Sequence, residues 1–297
     1  MRNMFDEVRN NNIKSFFLIF IFILLVIALG LAFGVYMGDL VIGAVLAAFI
    51  SIIYTIIMYF SGDKMILKTT GARPVTKKEY PYLYHTVEGI AIAAGTPKPK
   101  AYVIDDSALN AFATGRDPKH ASITVTTGLL KKMNRQELEG VIAHEMSHIK
   151  NYDIKVMMLA AVLVGIIVLL SDIMLRSFLW GGGRRSNRKS GGGYLIILAL
   201  VLAILAPFFA QFIKMAVSRK REYMADANGA ILTRYPPGLA SALKKISNDP
   251  DPLVDKANRA TAHLFISTPF RKTKSFMAGL FSTPPPIGDR IIRLEAM

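Results

Sequence analysis

Two of the chain's five histidines, His144 and His148, stand four residues apart in the segment His144-Glu145-Met146-Ser147-His148. On a helix this spacing places both imidazoles on one face, where they can grip a single metal ion. Glu145 borders that face, too close in sequence to bind alongside them but well placed to act on water. A zinc ion held by two histidines and one carboxylate keeps its fourth position for water, whose pKa falls towards neutrality on binding. Glu145 is then the natural general base, passing the water's proton to the leaving amine of a cleaved peptide. The chain has no cysteine. Disulfides and thiolate sites are therefore excluded, and a transition metal must be held by histidines and carboxylates. The expectation is one Zn2+ per chain.

The third ligand must come from elsewhere, because no histidine follows His148 at the spacing used by metzincins. Glu222, in Arg221-Glu222-Tyr223-Met224-Ala225-Asp226, is the candidate. Asp226, four residues on, shares its helical face and can accept the free ring N–H of a zinc-bound histidine, fixing its tautomer. The competing reading makes Glu222 and Asp226 surface charges paired with Arg219 or Arg221. His85, His120 and His263 read as surface or structural histidines.

The elements that must position these groups are legible around them. Asn134 followed by Glu137 resembles a capping box that opens a helix carrying Leu138, Val141, Ile142 and Glu145 down one side. Pro81 to Gly95 has apolar residues at helical spacing, and Pro97 and Pro99 end that helix. Short strands are predicted at Tyr102–Ile104, at Ala111–Thr114 and around Ile123 and Val125, which alternate with Ser122, Thr124 and Thr126. The result would be a small sheet with one half-polar face. Its candidate exposed edge is Asn110-Ala111-Phe112-Ala113-Thr114, to which an extended peptide could add itself through backbone hydrogen bonds. Ordinary core is the alternative for Phe112.

Hydrophobic residues make up 52% of the 297-residue chain, a high share for a soluble globule. Four apolar runs account for it: Ser15–Gly38, Leu40–Gly62, Val156–Leu175 and Tyr194–Ile213. The first exceeds the core of a signal peptide, and a second follows at once. Basic residues flank the first pair on what is then the cytoplasmic side. The link between the second pair carries Arg176, Arg184, Arg185, Arg188 and Lys189, which oppose its translocation. The net charge of +15 comes with no nucleic-acid signature, and attraction to anionic lipid head groups explains it more simply. The chain thus divides into two N-terminal transmembrane helices (1–62), a first polar part with the metal-binding helix (63–155), a hydrophobic hairpin (156–213) and a second polar part with Glu222 (214–297). His148 lies eight positions before the third run and Glu222 nine after the fourth. At roughly 1.5 Å per helical residue, both stand within about 15 Å of the bilayer. Substrates are then expected to be membrane proteins or unfolded chains presented near the lipid bilayer.

These segments resemble the HtpX-type membrane proteases within the M48 metallopeptidases. The likeness runs through the two N-terminal spans, Asn110–Gly115, Thr127–Leu130, Val141–Asp153, the hydrophobic hairpin and Arg221–Asp226. It implies an α+β, zincin-like (gluzincin) domain with about four membrane segments. It also implies His144, His148 and Glu222 on zinc, Glu145 catalytic, and an endopeptidase in stress-related quality control of membrane proteins. The setting it implies is the bacterial inner membrane, with the active site facing the cytoplasm. One departure stands out. Relatives often carry a histidine before a Pro-Pro pair, whereas this chain reads Ser282-Thr283-Pro284-Pro285-Pro286, so a contribution from that histidine to oxyanion stabilisation is unfilled. A scaffold or chaperone-like protein with a structural zinc would need a fourth protein ligand. A transporter would need paired interrupted helices, which the sequence lacks.

Overall fold

The computed structural model describes residues 4–37, 39–163, 218–250, 261–267 and 285–297. It opens on two long helices, α1 (Met4–Met37) and α2 (Leu40–Thr69), which pack against each other. Asp39 makes the corner: its carboxylate accepts the amides of Val41 and Ile42 at 2.9 and 3.0 Å, which caps α2. Along α2, Val41, Val45, Phe49, Ile52, Ile56 and Phe60 are exposed. A 30-residue helix rises about 45 Å, more than the roughly 30 Å of a hydrocarbon core. Among the described residues, α2 is the one helix that meets the length and composition of a membrane span.

The expectation of four spans is thus only partly visible. Tyr194–Ile213 and most of Val156–Leu175 lie outside the described residues. Residues 156–163 are helical and buried, sharing one apolar cluster with Leu18, Met58, Ile66 and Phe112. The start of the third run therefore faces protein rather than lipid.

Four strands follow α1 and α2: β1 (Arg73–Pro74), β2 (Lys100–Ile104), β3 (Ala111–Gly115) and β4 (Ala121–Thr126). They form one sheet in the order β1-β2-β4-β3, with β2 and β4 parallel and the other neighbours antiparallel. Helix α3 (Pro81–Ala94) precedes β2 and ends on Gly95, whose φ of 66° is the left-handed conformation a helix stop favours. Ile123 and Val125 pack into a core with Leu83, Val87, Leu138 and Ile142, and Leu239, Leu243 and Leu294 from the C-terminal part join the same core.

Packing adds to two expectations about the sheet. Ser122, Thr124 and Thr126 do alternate with apolar residues, yet all of β4 is buried. The apolar cluster built from α1, α2 and residues 156–163 covers this half-polar face. Strand β3 is an edge, as expected, but Asn110, Ala111, Phe112 and Ala113 are buried. The Ile266 amide donates to the Ala111 carbonyl at 2.9 Å, and Asn110 Nδ2 donates to the Ser267 carbonyl at 3.0 Å. Phe265 meets Phe112 edge-on at 5.0 Å between ring centroids. The chain's own residues 265–267 thus take up hydrogen-bonding positions at the start of the edge that was the substrate candidate.

After α4 (Thr127–Lys132), the capping box predicted at Asn134 and Glu137 is present at the start of α5 (Arg135–Lys150). Glu137 does more than cap. Its buried carboxylate also accepts from Ser241 Oγ and Lys245 Nζ, each at 2.7 Å, tying α5 to α7 (Pro236–Ser247), which follows α6 (Arg219–Thr233). At the same contact a Cβ on Gly140 would lie 2.7 Å from the Leu239 amide nitrogen, so only glycine permits the approach. Burial works against ionisation of Glu137, but Lys245 and Ser241 outweigh it and hold its carboxyl below the usual glutamate range. The sign follows: its stabilisation is complete above the unfolded pKa of about 4.3 and is lost as pH falls through the lower folded value. Glu137→Ala should cost about 2 kcal/mol at neutral pH, seen as a lower thermal midpoint in detergent, with the deficit shrinking in acid.

Candidate metal centre

Helix α6 lies against α5 closely enough that a Cβ on Gly229 would sit 3.1 Å from the His144 backbone nitrogen. Asp226 and Glu222 precede Gly229 by three and seven residues, on the same helical face, and so meet the two histidines. Glu222 Oε2 is 3.6 Å from His144 Nε2, and Oε1 is 3.6 Å from His148 Nε2. One ligand atom from each of the three residues lies within 4.8 Å of the others. Two donors at about 2.1 Å from one tetrahedral ion are separated by about 3.4 Å, so the set is spaced to hold one.

The other ring nitrogens show why the Nε2 atoms converge. His144 Nδ1 is 2.9 Å from Asp226 Oδ1, and His148 Nδ1 is 2.9 Å from Asp153 Oδ2. Each carboxylate accepts an Nδ1–H, which leaves Nε2 as the ring atom that would ligate a metal beside Glu222. The reading of Glu222 and Asp226 as surface charges fails for Asp226, which is 3% exposed, and Glu222, partly exposed, turns to the two histidines. Arg221 turns to Asp153, at 3.6 Å, instead.

Arg290, on α8 (Ile287–Glu295), is 1% exposed and grips Asp226 with two parallel bonds, Nε to Oδ2 at 2.8 Å and Nη2 to Oδ1 at 2.7 Å. Its Nη1 lies 3.6 Å from Glu222 Oε2. Nη2 is also 3.4 Å from both ring nitrogens of His144, a placement that cannot be a straight hydrogen bond to either.

The electrostatics follow from this crowding. Burial and the Arg290 charge oppose protonation of His144, but Asp226 and Glu222 prevail and its pKa is pushed up to about 9. Burial opposes ionisation of Glu222, yet His144, His148 and Arg290 hold its carboxyl far below the usual range. Asp226 is likewise depressed against its burial, with Arg290 the leading opposing cause. Glu145 moves the other way: it is buried, and burial raises its pKa despite the neighbouring cations.

Glu145 lines a small cleft with His144, His148, Met157, Glu222 and residues 263–266. The structure thus brings together four of the residues singled out in the sequence, with Asp226 behind them. It does not bring Asn110, Ala111, Phe112 or Ala113 to the cavity, whose wall on that side is Phe265 and Ile266. His263, read as surface or structural, lines the cavity with Nε2 3.1 Å from the Met157 carbonyl. His85 and His120 are exposed beside Glu88 and Asp117. Pro284 lies outside the described residues.

Comparison with known proteins agrees with this architecture. The model of peptidase family M48 matches residues 77–297. The chain belongs to peptidase family M48. It is 49% identical over 296 residues to a protease HtpX homolog of Dictyoglomus thermophilum, covering 99% of this chain and 94% of that one. Against a protease HtpX homolog of Caldanaerobacter subterraneus the identity is 46% over 299 residues, covering 100% and 98%. Against one from Listeria monocytogenes it is 44% over 309 residues, covering 99% and 100%. The crystal structure of Ste24p from S. mikatae has a similar fold, with a TM-score of 0.50 at 21% identity, over 96% of this chain and 66% of that one. The chain is therefore a metalloprotease of the HtpX type, a membrane protein with a mixed helix-and-sheet fold.

Two residues at the centre were not foreseen. Asp153 was visible only as an acid five places after His148, beyond the end of α5, where no helical spacing links them. Arg290 stands 146 residues from His144 in sequence. Its signal was an arginine among apolar neighbours in Ile287-Gly-Asp-Arg-Ile-Ile292, on a short helix that buries Arg290 and Leu294.

Proposed function

We propose that the chain is a zinc-dependent endopeptidase in which His144, His148 and Glu222 hold the metal, Glu145 is the general base, and Asp226 orients His144. The observation that carries this reading is the convergence of the two Nε2 atoms and the Glu222 carboxylate, with both Nδ1 atoms turned outward onto buried carboxylates. When bound, zinc supplies Lewis-acid activation of water and of the peptide carbonyl. Glu145 takes the proton of the attacking water and delivers it to the leaving amine nitrogen. Its raised pKa suits that double duty better than an ordinary glutamate would. Asp226 and Asp153 hold the imidazole tautomers, and Arg290 holds Asp226.

The exposed apolar surface of α2 and the basic residues flanking the N-terminal helices support a multi-pass protein of the bacterial inner membrane with this site on the cytoplasmic side. In this reading the catalytic domain is interrupted by the hydrophobic hairpin at 156–213, and the substrates are misfolded or damaged membrane proteins met in stress-related quality control.

The test is metal analysis of His144→Ala, His148→Ala and Glu222→Ala after dialysis. Each should retain well under one equivalent of zinc, and a stoichiometric Glu222 variant would remove it from the ligand set. A second expectation concerns pH. Glu145 must be ionised to act, so activity rises with pH through its pKa. The metal-loaded protein should therefore show an acid limb along which kcat/KM rises with pH, and a profile that falls over that range would contradict the role given to Glu145.

A further inference from the structure

The first turns of α1 carry a polar group that no membrane anchor needs. Asn11 is 0% exposed, four residues before the uncharged, mostly apolar run that begins at Ser15. Its Nδ2 donates twice, to Asp153 Oδ1 at 2.7 Å and to the Asn151 carbonyl at 2.9 Å. Its Oδ1 faces Arg221 Nη1 at 3.5 Å. Asp153, 2% exposed, turns its other oxygen to His148 Nδ1 at 2.9 Å. One chain of contacts therefore runs from the N-terminal helix through Asp153 to His148.

We infer that Asn11 is a positioning residue for the metal centre: it fixes the Asp153 carboxylate, and through it the tautomer and orientation of His148. This rests on the reading of His148 as a metal ligand. A carboxylate with one oxygen held only by an imidazole can swing about its side-chain torsions. With the second oxygen tied by a carboxamide and approached by a guanidinium, it is locked. Asn11 suits the place because one amide supplies two donors, to Asp153 and the Asn151 carbonyl, and an acceptor that faces Arg221, whereas an anion there would repel the carboxylate. Asn151, Asp153 and Asn11 also meet where α5 ends and the next helix begins, so the bond to the Asn151 carbonyl pins the corner after the ligand-bearing helix. The N-terminal helix is then a component of the site as well as its anchor.

The experiment uses the full-length protein in detergent with Zn2+ and Co2+ as probes, and compares Asn11→Ala and the milder Asn11→Ser with Asn12→Ala. Asn12 is exposed and pairs with Lys155 outside this network, at 3.1 Å. For Asn11→Ala, metal affinity in chelator competition should fall about 10- to 100-fold. The cobalt visible spectrum should shift, and kcat at saturating metal should drop with KM unchanged; Asn11→Ser should fall between it and wild type. Asn12→Ala should match wild type in all three. A merely structural role for Asn11 would lower the thermal midpoint while leaving affinity and spectrum of the folded fraction intact, and that result in either Asn11 variant overturns the inference. His148→Ala separates the two levels. If it binds metal like wild type, the ligand reading itself fails, whereas if it loses metal while both Asn11 variants keep theirs, only the role of Asn11 is lost.

Discussion

Glu145→Gln should yield a folded protein with a full equivalent of metal and a kcat for peptide hydrolysis lowered by about 10²- to 10⁴-fold. The side chain keeps its size, and Glu145 is buried against the metal donors rather than among them, so neither fold nor metal binding depends on its charge. What is lost is the ability to accept a proton from water and return it to the amine. Cleavage of a casein-like unfolded chain, followed beside metal content, reads both quantities. Undiminished cleavage with metal present would remove Glu145 from the mechanism. Loss of both metal and activity would mean that the carboxylate helps to hold the ion, contrary to the geometry. The variant should also stop any self-cleavage during purification.

How far the site was legible depended on sequence distance. Within one helix, spacing did the work: His144, Glu145 and His148 follow from i,i+4 periodicity, and the cap at Asn134 from the glutamate three residues later. Glu222 and Asp226 were found because a second helical pair of acids could answer the histidines. Arg290 and Asp153 were not, because what joins them to the site is tertiary packing. Nothing in one sequence says that α8 lays an arginine against α6, or that the chain turns after Asn151 to bring an acid back to His148. The sheet shows the same limit. Alternation in β4 was real, but alternation reports which residues share a face, and only the packing of α1, α2 and residues 156–163 decides that the second face is dry. The proposed peptide-binding edge meets a related limit. Pairing capacity can be read from strand order, yet residues 265–267, over 150 positions later, already use part of it.

Arg290→Met should be the most destabilising single change at the centre, costing about 3–5 kcal/mol, because it takes from buried Asp226 and neighbouring Glu222 the one cation whose charge does not depend on pH. Lysine should rescue little, since a point charge cannot reproduce the two parallel bonds to Asp226. The pH dependence identifies the cause. In the wild type, Asp226 and Glu222 ionise below their usual range, so their contribution is present above the unfolded values of about 3.9 and 4.3 and is lost as pH falls through the lower folded ones. Without Arg290 their folded pKa values rise, the native state binds protons more readily than before, and the deficit measured at pH 7 should narrow towards pH 4. Measuring thermal midpoints after chelator treatment keeps metal binding out of the comparison. A second change then separates charge from packing. Asp226→Asn added to Arg290→Met removes one stranded charge and should recover part of the lost midpoint, while metal affinity stays low because an amide oxygen holds the His144 Nδ1–H more weakly than a carboxylate. Arg290→Met as stable as wild type at pH 7, or a double variant worse than the single, would mean that the guanidinium fills space at the centre and does not balance its charge.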